Sequence, residues 1–278
     1  MGMNTITSEL LPRGRMIPVG DGLELHLNIV GTGYPVIFIH GSGPGASGWS
    51  NFNQNVPTFT ERGYQCVIPD LIGYGYSSKP DFDYTLDMFA GTLIEALRSI
   101  GIERCALVGN SMGGSISMKM GLDAPDLVDR MVLMATGALQ PLDYYRQTEG
   151  IVEMIPVLTA PGGLTPQSLR QVFNKMLYDP SLITDQLIEQ RYAIASLQND
   201  AIYKRWFIPS LADEIENLTQ PILGLWGMND KFCPVEDSMI LMKRARDARM
   251  ILETNCGHWF QIEKKAVFER EVVEFLSE

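Results

Sequence analysis

The chain has 278 residues, 45% of them hydrophobic and 20% charged, enough for one large core and unlike disordered, collagen-like or mini-protein compositions. With 22 Lys+Arg against 33 Asp+Glu the net charge is -11, so the basic footprint of a nucleic-acid binder is missing, and an anionic substrate would need a local positive group to overcome the field. No apolar run reaches the roughly 20 residues of a spanning helix, and the opening MGMNTITSEL lacks the basic and apolar regions of a signal peptide. Ile6 stands where myristoylation of Gly2 would need Ser or Thr. Cys66, Cys105, Cys233 and Cys256 are scattered without a CxxC pair, which argues against a disulfide framework or a zinc cluster. The expectation is a cytoplasmic chain with no membrane and no nucleic-acid partner.

In chain order, Leu23, Leu25, Leu27 and Ile29 alternate with Glu24, His26 and Asn28, the period of a strand with one wet face and antiparallel character. Apolar runs at 36–39, 66–69, 105–108, 131–134, 222–226 and 250–252 read as buried parallel strands. Amphipathic stretches at 50–60, 86–100, 112–124 and 266–276 read as helices, and the alternation predicts a doubly wound α/β sheet. From Ala135 to about Asp213 that alternation stops. Pro141, Pro156, Pro161-Gly162-Gly163, Pro166 and Pro180 punctuate helical patterns with no convincing strand, which predicts a helical cap inserted after about Thr136. The expected division is core 1–136, cap 137–213 and core 214–278.

Gly109-Asn110-Ser111-Met112-Gly113 follows the run 105–108 and opens a helix rich in small residues. This is the context of a nucleophile elbow: the serine sits on a strained strand-to-helix turn, and the helix N-terminus favours developing negative charge. A serine needs a base, and the histidines are His26, His40 and His258. His26, on the wet face of an early strand, reads as solvated. His40 precedes the loop Gly41-Ser42-Gly43-Pro44-Gly45 and reads as ordering it, which leaves His258, on the turn Cys256-Gly257-His258-Trp259, as the base. Asp230, after the run 222–226, completes the order Ser111, Asp230, His258. Asp237 is the competing acid, expected to be solvated or to cap a helix. The oxyanion donors are the Met112 N–H and one from the loop after His40. No complete dinucleotide fingerprint and no metal-ligand spacing is present, so no cofactor and no metal are expected.

One residue of the cap is out of place. Ile183, Leu187, Arg191 and Ile194 or Ala195 fall on one helical stripe, which sets an arginine on an apolar face. It must pair, either with a carboxylate such as Glu189 or Asp185 or with a ligand carboxylate. Trp259 is equally a core aromatic or part of a pocket wall.

The segments running from His40 to Phe52, Gly109 to Gly114, Trp226 to Asp230 and Cys256 to Trp259, with the stretch from Leu177 to Tyr192, resemble the meta-cleavage product hydrolases. These are carbon–carbon bond hydrolases of the α/β-hydrolase superfamily. The resemblance implies a mostly parallel, eight-stranded α/β-hydrolase sheet flanked by helices, with a helical cap. It implies a 2-hydroxy-6-oxohexa-2,4-dienoate substrate from aromatic degradation, cleaved to 2-hydroxypenta-2,4-dienoate and a carboxylic acid. It also makes Arg191 the ligand of the substrate carboxylate, places Asn51, Asn110 and Trp259 around the dienoate, and assigns the second oxyanion N–H to Ser42 or Gly43. Ser42 departs from relatives that carry glycine there, but keeps its backbone N–H. Ser111 sets the chain apart from dehalogenases and epoxide hydrolases of this fold, whose nucleophile is aspartate. A carboxylesterase or lactonase with the same triad, and a small-molecule receptor built on the fold, are the alternatives. Homodimer or higher homo-oligomer is left open beside monomer.

Overall fold

The computed structural model describes residues 14–161, 163–198 and 201–278. Ten strands follow there in chain order: β1 (Arg15–Val19), β2 (Leu23–Val30), β3 (Tyr34–Ile39), β4 (Tyr64–Asp70), β5 (Tyr84–Thr85), β6 (Cys105–Asn110), β7 (Val128–Met134), β8 (Trp206–Phe207), β9 (Ile222–Gly227) and β10 (Ala248–Glu253). Eight form one sheet in the order β1-β2-β4-β3-β6-β7-β9-β10, and β5 pairs with β8 apart from it. β2 is antiparallel to both of its neighbours, with His26 opposite Met16 on β1 and Asn28 opposite Ile68 on β4, whereas the pairs from β4 to β10 are parallel. The doubly wound sheet and its antiparallel start are as the sequence predicts.

β3 illustrates why the parallel strands read as unbroken apolar runs. Val36 and Phe38 face one layer, with Phe59 and Phe268, while Ile37 and Ile39 face the other, with Leu93 and Ile116. The helices Leu86–Ser99 and Met112–Asp123 cover that second face, and Val56–Glu61 with Lys265–Ser277 cover the first. Each such side chain contributes about 1.5–3 kcal/mol on burial, so two dry faces hold the central strands rigidly under the loops at their ends.

Three local readings need correction. The stretch 50–60 is two helices, Gly48–Phe52 and Val56–Glu61, because Pro57 in the first turn of the second lacks the N–H that a continuous helix would use. β1 escapes the sequence pattern because Pro18 interrupts it, which an edge strand tolerates. The segment expected to hold no strand contains β8, whose two residues are too few for a period to register.

Between β7 and β9 the chain builds the helices Leu142–Tyr145, Glu149–Leu158, Pro166–Met176, Asp185–Ala195 and Ala201–Lys204. Met154, Leu169, Phe173, Met176 and Ile188 pack with Phe232 and Trp259, so this segment sits on the loops that follow β9 and β10. Among the described residues no helix is long and apolar enough to cross a membrane.

Candidate active site

Ser111 begins where β6 ends. Its backbone is held at φ 57 and ψ -121, the strained turn that the elbow motif implies. Gly113 is needed because a Cβ there would lie 2.1 Å from the Ile39 carbonyl oxygen. Met112 opens the helix Met112–Asp123, so its N–H has no earlier turn of helix to bond to, and Met112 lines the same cavity as Ser111, Ser42 and Gly43.

The loops after β9 and β10 bring Asp230 and His258, the expected acid and base, together. His258 Nδ1 lies 2.8 Å from Asp230 Oδ2. The other carboxylate oxygen of Asp230 accepts hydrogen bonds from the Phe232 N–H at 2.7 Å and the Cys233 N–H at 3.0 Å, which fixes its plane. Both side chains are nearly closed to solvent, His258 at 4% and Asp230 at 0% exposure. His258 itself is pinned through its backbone, whose N–H donates to the Met176 carbonyl at 2.8 Å. Glu263 finishes the clasp: one oxygen accepts from the Gly257 N–H at 2.9 Å and the other from the Tyr178 N–H at 2.8 Å. Burial pushes the Glu263 carboxyl above its usual value. Sequence reasoning missed Glu263; its signal is a carboxylate five residues after His258 beside the apolar Phe260 and Ile262. Beside Ser111 on the cavity wall stands Cys233, whose thiol burial holds well above its usual value and therefore protonated.

The other two histidines take separate places. The Leu71 N–H donates to His40 Nε2 at 3.0 Å, so Nδ1 carries the proton and donates to the Gly41 carbonyl at 2.7 Å. His40 thus orders the loop as expected, and burial lowers it to about 4. His26, expected in solvent, instead packs its Nδ1 2.9 Å from Asp70, because β2 is covered there and the buried Asp70 also accepts the Gly48 and Tyr76 N–H groups. Asp237 is neither solvated nor a cap. It is 1% exposed, makes no side-chain cap bond and accepts from Gln140 at 3.3 Å, with its carboxyl raised by burial.

Arg191 is 1% exposed, and no described carboxylate lies within ion-pair range; Asp185, one of its expected partners, pairs with Arg170 instead. Glu189, the other, is exposed on the opposite side of the helix. The helix begins at Asp185, capped by Thr184, so Ile183 falls outside it and the buried face is Ile188, Arg191 and Ile194 rather than the stripe through Leu187. The guanidinium donates to the Gly45 carbonyl at 3.0 Å and to Asn51 Oδ1 at 3.1 Å, and stacks 4.4 Å from the Trp259 ring centre. Gly45 permits this contact: its φ is +67, and a Cβ there would meet the Arg191 carbonyl oxygen at 2.1 Å. Burial lowers the arginine to about 9, still charged at neutral pH, and its Nε has no partner among the described residues. Asn110 reaches from the elbow to the His258 carbonyl at 3.3 Å.

Two cavities meet at Ser111. One, of about 290 Å³, is lined by Arg191, Asn51, Asn110, Phe173 and Trp259. The other, of about 600 Å³, is walled by Met112, Leu142, Tyr145, Ile151, Trp206 and Phe232 among others. Ser42, Gly43, Ser111, Met176 and His258 line both, so the serine and the imidazole stand at a waist between a chamber with a cation and an apolar one. The weak pattern of the segment between β7 and β9 hid the apolar walls from sequence reasoning.

Residues 34–162 match the family model described as the alpha/beta hydrolase fold. The chain is 31% identical over 269 residues to the 2-hydroxy-6-oxo-6-phenylhexa-2,4-dienoate hydrolase of Burkholderia cepacia, covering 92% of each. It is 34% identical over 273 residues to the 2-hydroxy-6-oxononadienedioate/2-hydroxy-6-oxononatrienedioate hydrolase of Burkholderia vietnamiensis, covering 93% of each. Among solved structures it is similar to the meta-cleavage product hydrolase CumD of Pseudomonas fluorescens IP01, at 30% identity and a TM-score of 0.84, over 95% of this chain and 97% of that one.

Proposed function

The chain belongs to the meta-cleavage product hydrolases of the α/β-hydrolase fold, and on that premise we propose that it hydrolyses the C5–C6 bond of a 2-hydroxy-6-oxohexa-2,4-dienoate. The products are 2-hydroxypenta-2,4-dienoate and a carboxylic acid. The observation that carries this reading is Arg191: a buried guanidinium with no carboxylate partner among the described residues, facing a chamber whose far end is Ser111. A neutral ester needs no such cation, whereas a dienoate carboxylate supplies the missing charge.

In this reading the carboxylate lies on Arg191, steadied by Asn51, with the dienol between Asn110 and Trp259. His258 moves the proton of the 2-hydroxyl to C5, giving the 2-keto form and making C5 a viable leaving carbon. Ser111 then attacks C6 as its proton passes to His258, whose imidazolium Asp230 stabilises. The oxyanion rests on the N–H groups of Met112 and of Ser42 or Gly43. Collapse breaks C5–C6, the electron pair delocalises onto the C2 oxygen, and His258 returns the proton. Water, deprotonated by His258, frees the acyl group from Ser111. No step requires a metal or an organic cofactor.

The test is incubation with 2-hydroxy-6-oxo-6-phenylhexa-2,4-dienoate, read by mass measurement. Benzoate and 2-hydroxypenta-2,4-dienoate are expected in equal amounts, with turnover lowered at least about a thousandfold in Ser111→Ala while binding survives. Hydrolysis of nitrophenyl esters without cleavage of any dienoate would favour the esterase alternative.

A further inference from the structure

The larger chamber receives whatever substituent C6 carries, because the carboxylate end of the substrate belongs to the Arg191 side of the waist; this placement rests on the proposed function. Leu142, Tyr145, Ile151, Met154, Ile208 and Phe232 form much of its wall. Among the described residues that line it there is no lysine or arginine. Lys231, on the loop after β9, is turned outward to Glu149. The buried group behind Tyr145 is an acid, Asp237, 1% exposed. Asp230 is a second acid, buried behind Cys233 of the wall, whose N–H it accepts. A carboxylate placed here would lose its water and find no lysine or arginine to replace it.

We infer that the chain selects an uncharged aryl or alkyl group on C6 and rejects a side chain that ends in a carboxylate, with Leu142, Tyr145 and Ile208 as specificity-determining wall residues. The two curated relatives described above carry names that differ in this feature, one a phenyl compound and the other a dioate. The chemistry of the wall places this chain with the first.

The experiment compares three substrates on one preparation: 2-hydroxy-6-oxo-6-phenylhexa-2,4-dienoate, 2-hydroxy-6-oxonona-2,4-dienoate and 2-hydroxy-6-oxonona-2,4-dienedioate. The last two have the same chain length and differ in the terminal carboxylate. The expected kcat/KM of the dioate is lower than that of its uncharged counterpart by about a hundredfold or more; a difference under about tenfold overturns the inference. Leu142→Arg, on the half-exposed rim, adds the missing cation and is expected to shift the dioate-to-monoacid ratio by at least about tenfold in favour of the dioate. Because both rates come from one sample, the ratio does not depend on how much of the variant folds, and an unchanged ratio overturns the assignment of the chamber. If wild type cleaves nitrophenyl esters but none of the three dienoates, carbon–carbon hydrolysis itself fails and this inference with it.

Discussion

Arg191→Gln separates a ligand for substrate from a structural ion pair. Folding buries the guanidinium to 1% exposure, and its drop from the ordinary arginine value to about 9 corresponds to a cost on the order of 5 kcal/mol for keeping it charged. Hydrogen bonds to Gly45 and Asn51 and the stack on Trp259 offset part of that cost. Glutamine keeps polar contact with Gly45 and Asn51 and removes the charge, so the free protein is expected to keep or raise its Tm. A bidentate contact to a carboxylate contributes about 2–4 kcal/mol, so kcat/KM for the phenyl dienoate should fall roughly 30- to 1000-fold. Hydrolysis of a neutral nitrophenyl ester, which gives Arg191 nothing to hold, should change by less than about threefold. Calorimetry adds a second reading: 2-hydroxypenta-2,4-dienoate should raise the Tm of wild type and not that of the variant. A parallel fall in both activities with a lower Tm would refute the reasoning and make Arg191 a structural residue.

Asp230→Asn should lower turnover by roughly a thousandfold to ten-thousandfold, by favouring the wrong tautomer of His258, whereas Asp237→Asn should cost less than about tenfold; steady-state rates that reverse this order would move the acid to Asp237. Glu263→Gln turns an amide NH₂ toward the N–H of either Gly257 or Tyr178, and should lower kcat roughly 10- to 100-fold with KM and circular dichroism little changed; an unchanged kcat would show that His258 does not depend on the clasp. His40 has a folded-state pKa near 4 against 6.5 in the unfolded chain, so its neutral form stabilises fully above about pH 6.5 and that contribution, about 3 kcal/mol, is lost as pH falls toward 4. The Tm of His40→Gln should therefore fall less over that interval than the Tm of wild type, and parallel curves would contradict the buried neutral imidazole.

The central strands were legible because a strand dry on both faces has no freedom to be anything but apolar, as Val36 to Ile39 and Cys105 to Val108 are. The elbow was legible because the sterics of one turn demand small residues on both sides of Ser111. His26 was misread since strand alternation reports which face a residue takes, not what a later loop lays over it; Asp70 arrives from β4. Arg191 was found by its misplacement on an apolar face, yet the residues it meets, Gly45 and Asn51, lie some 140 positions away and leave no local trace. The walls of the apolar chamber come from short helices broken by proline, where a hydrophobic residue facing a cavity and one facing a neighbour look alike.

The attachments of the chamber walls decide how such a pocket can be resized. Met176 accepts the N–H of His258, and Gly150, next to Ile151, donates to the Lys231 carbonyl beside Asp230, so moving either wall drags a member of the proposed triad with it. Trp206 leans its ring N–H on the Met112 sulfur, next to the N–H proposed to meet the oxyanion. Ile208 is tethered elsewhere, following a strand whose partner is Tyr84–Thr85. Drift or engineering toward bulkier acyl groups is therefore cheapest at position 208, where a smaller side chain enlarges the room while the machinery at its doorway keeps its alignment.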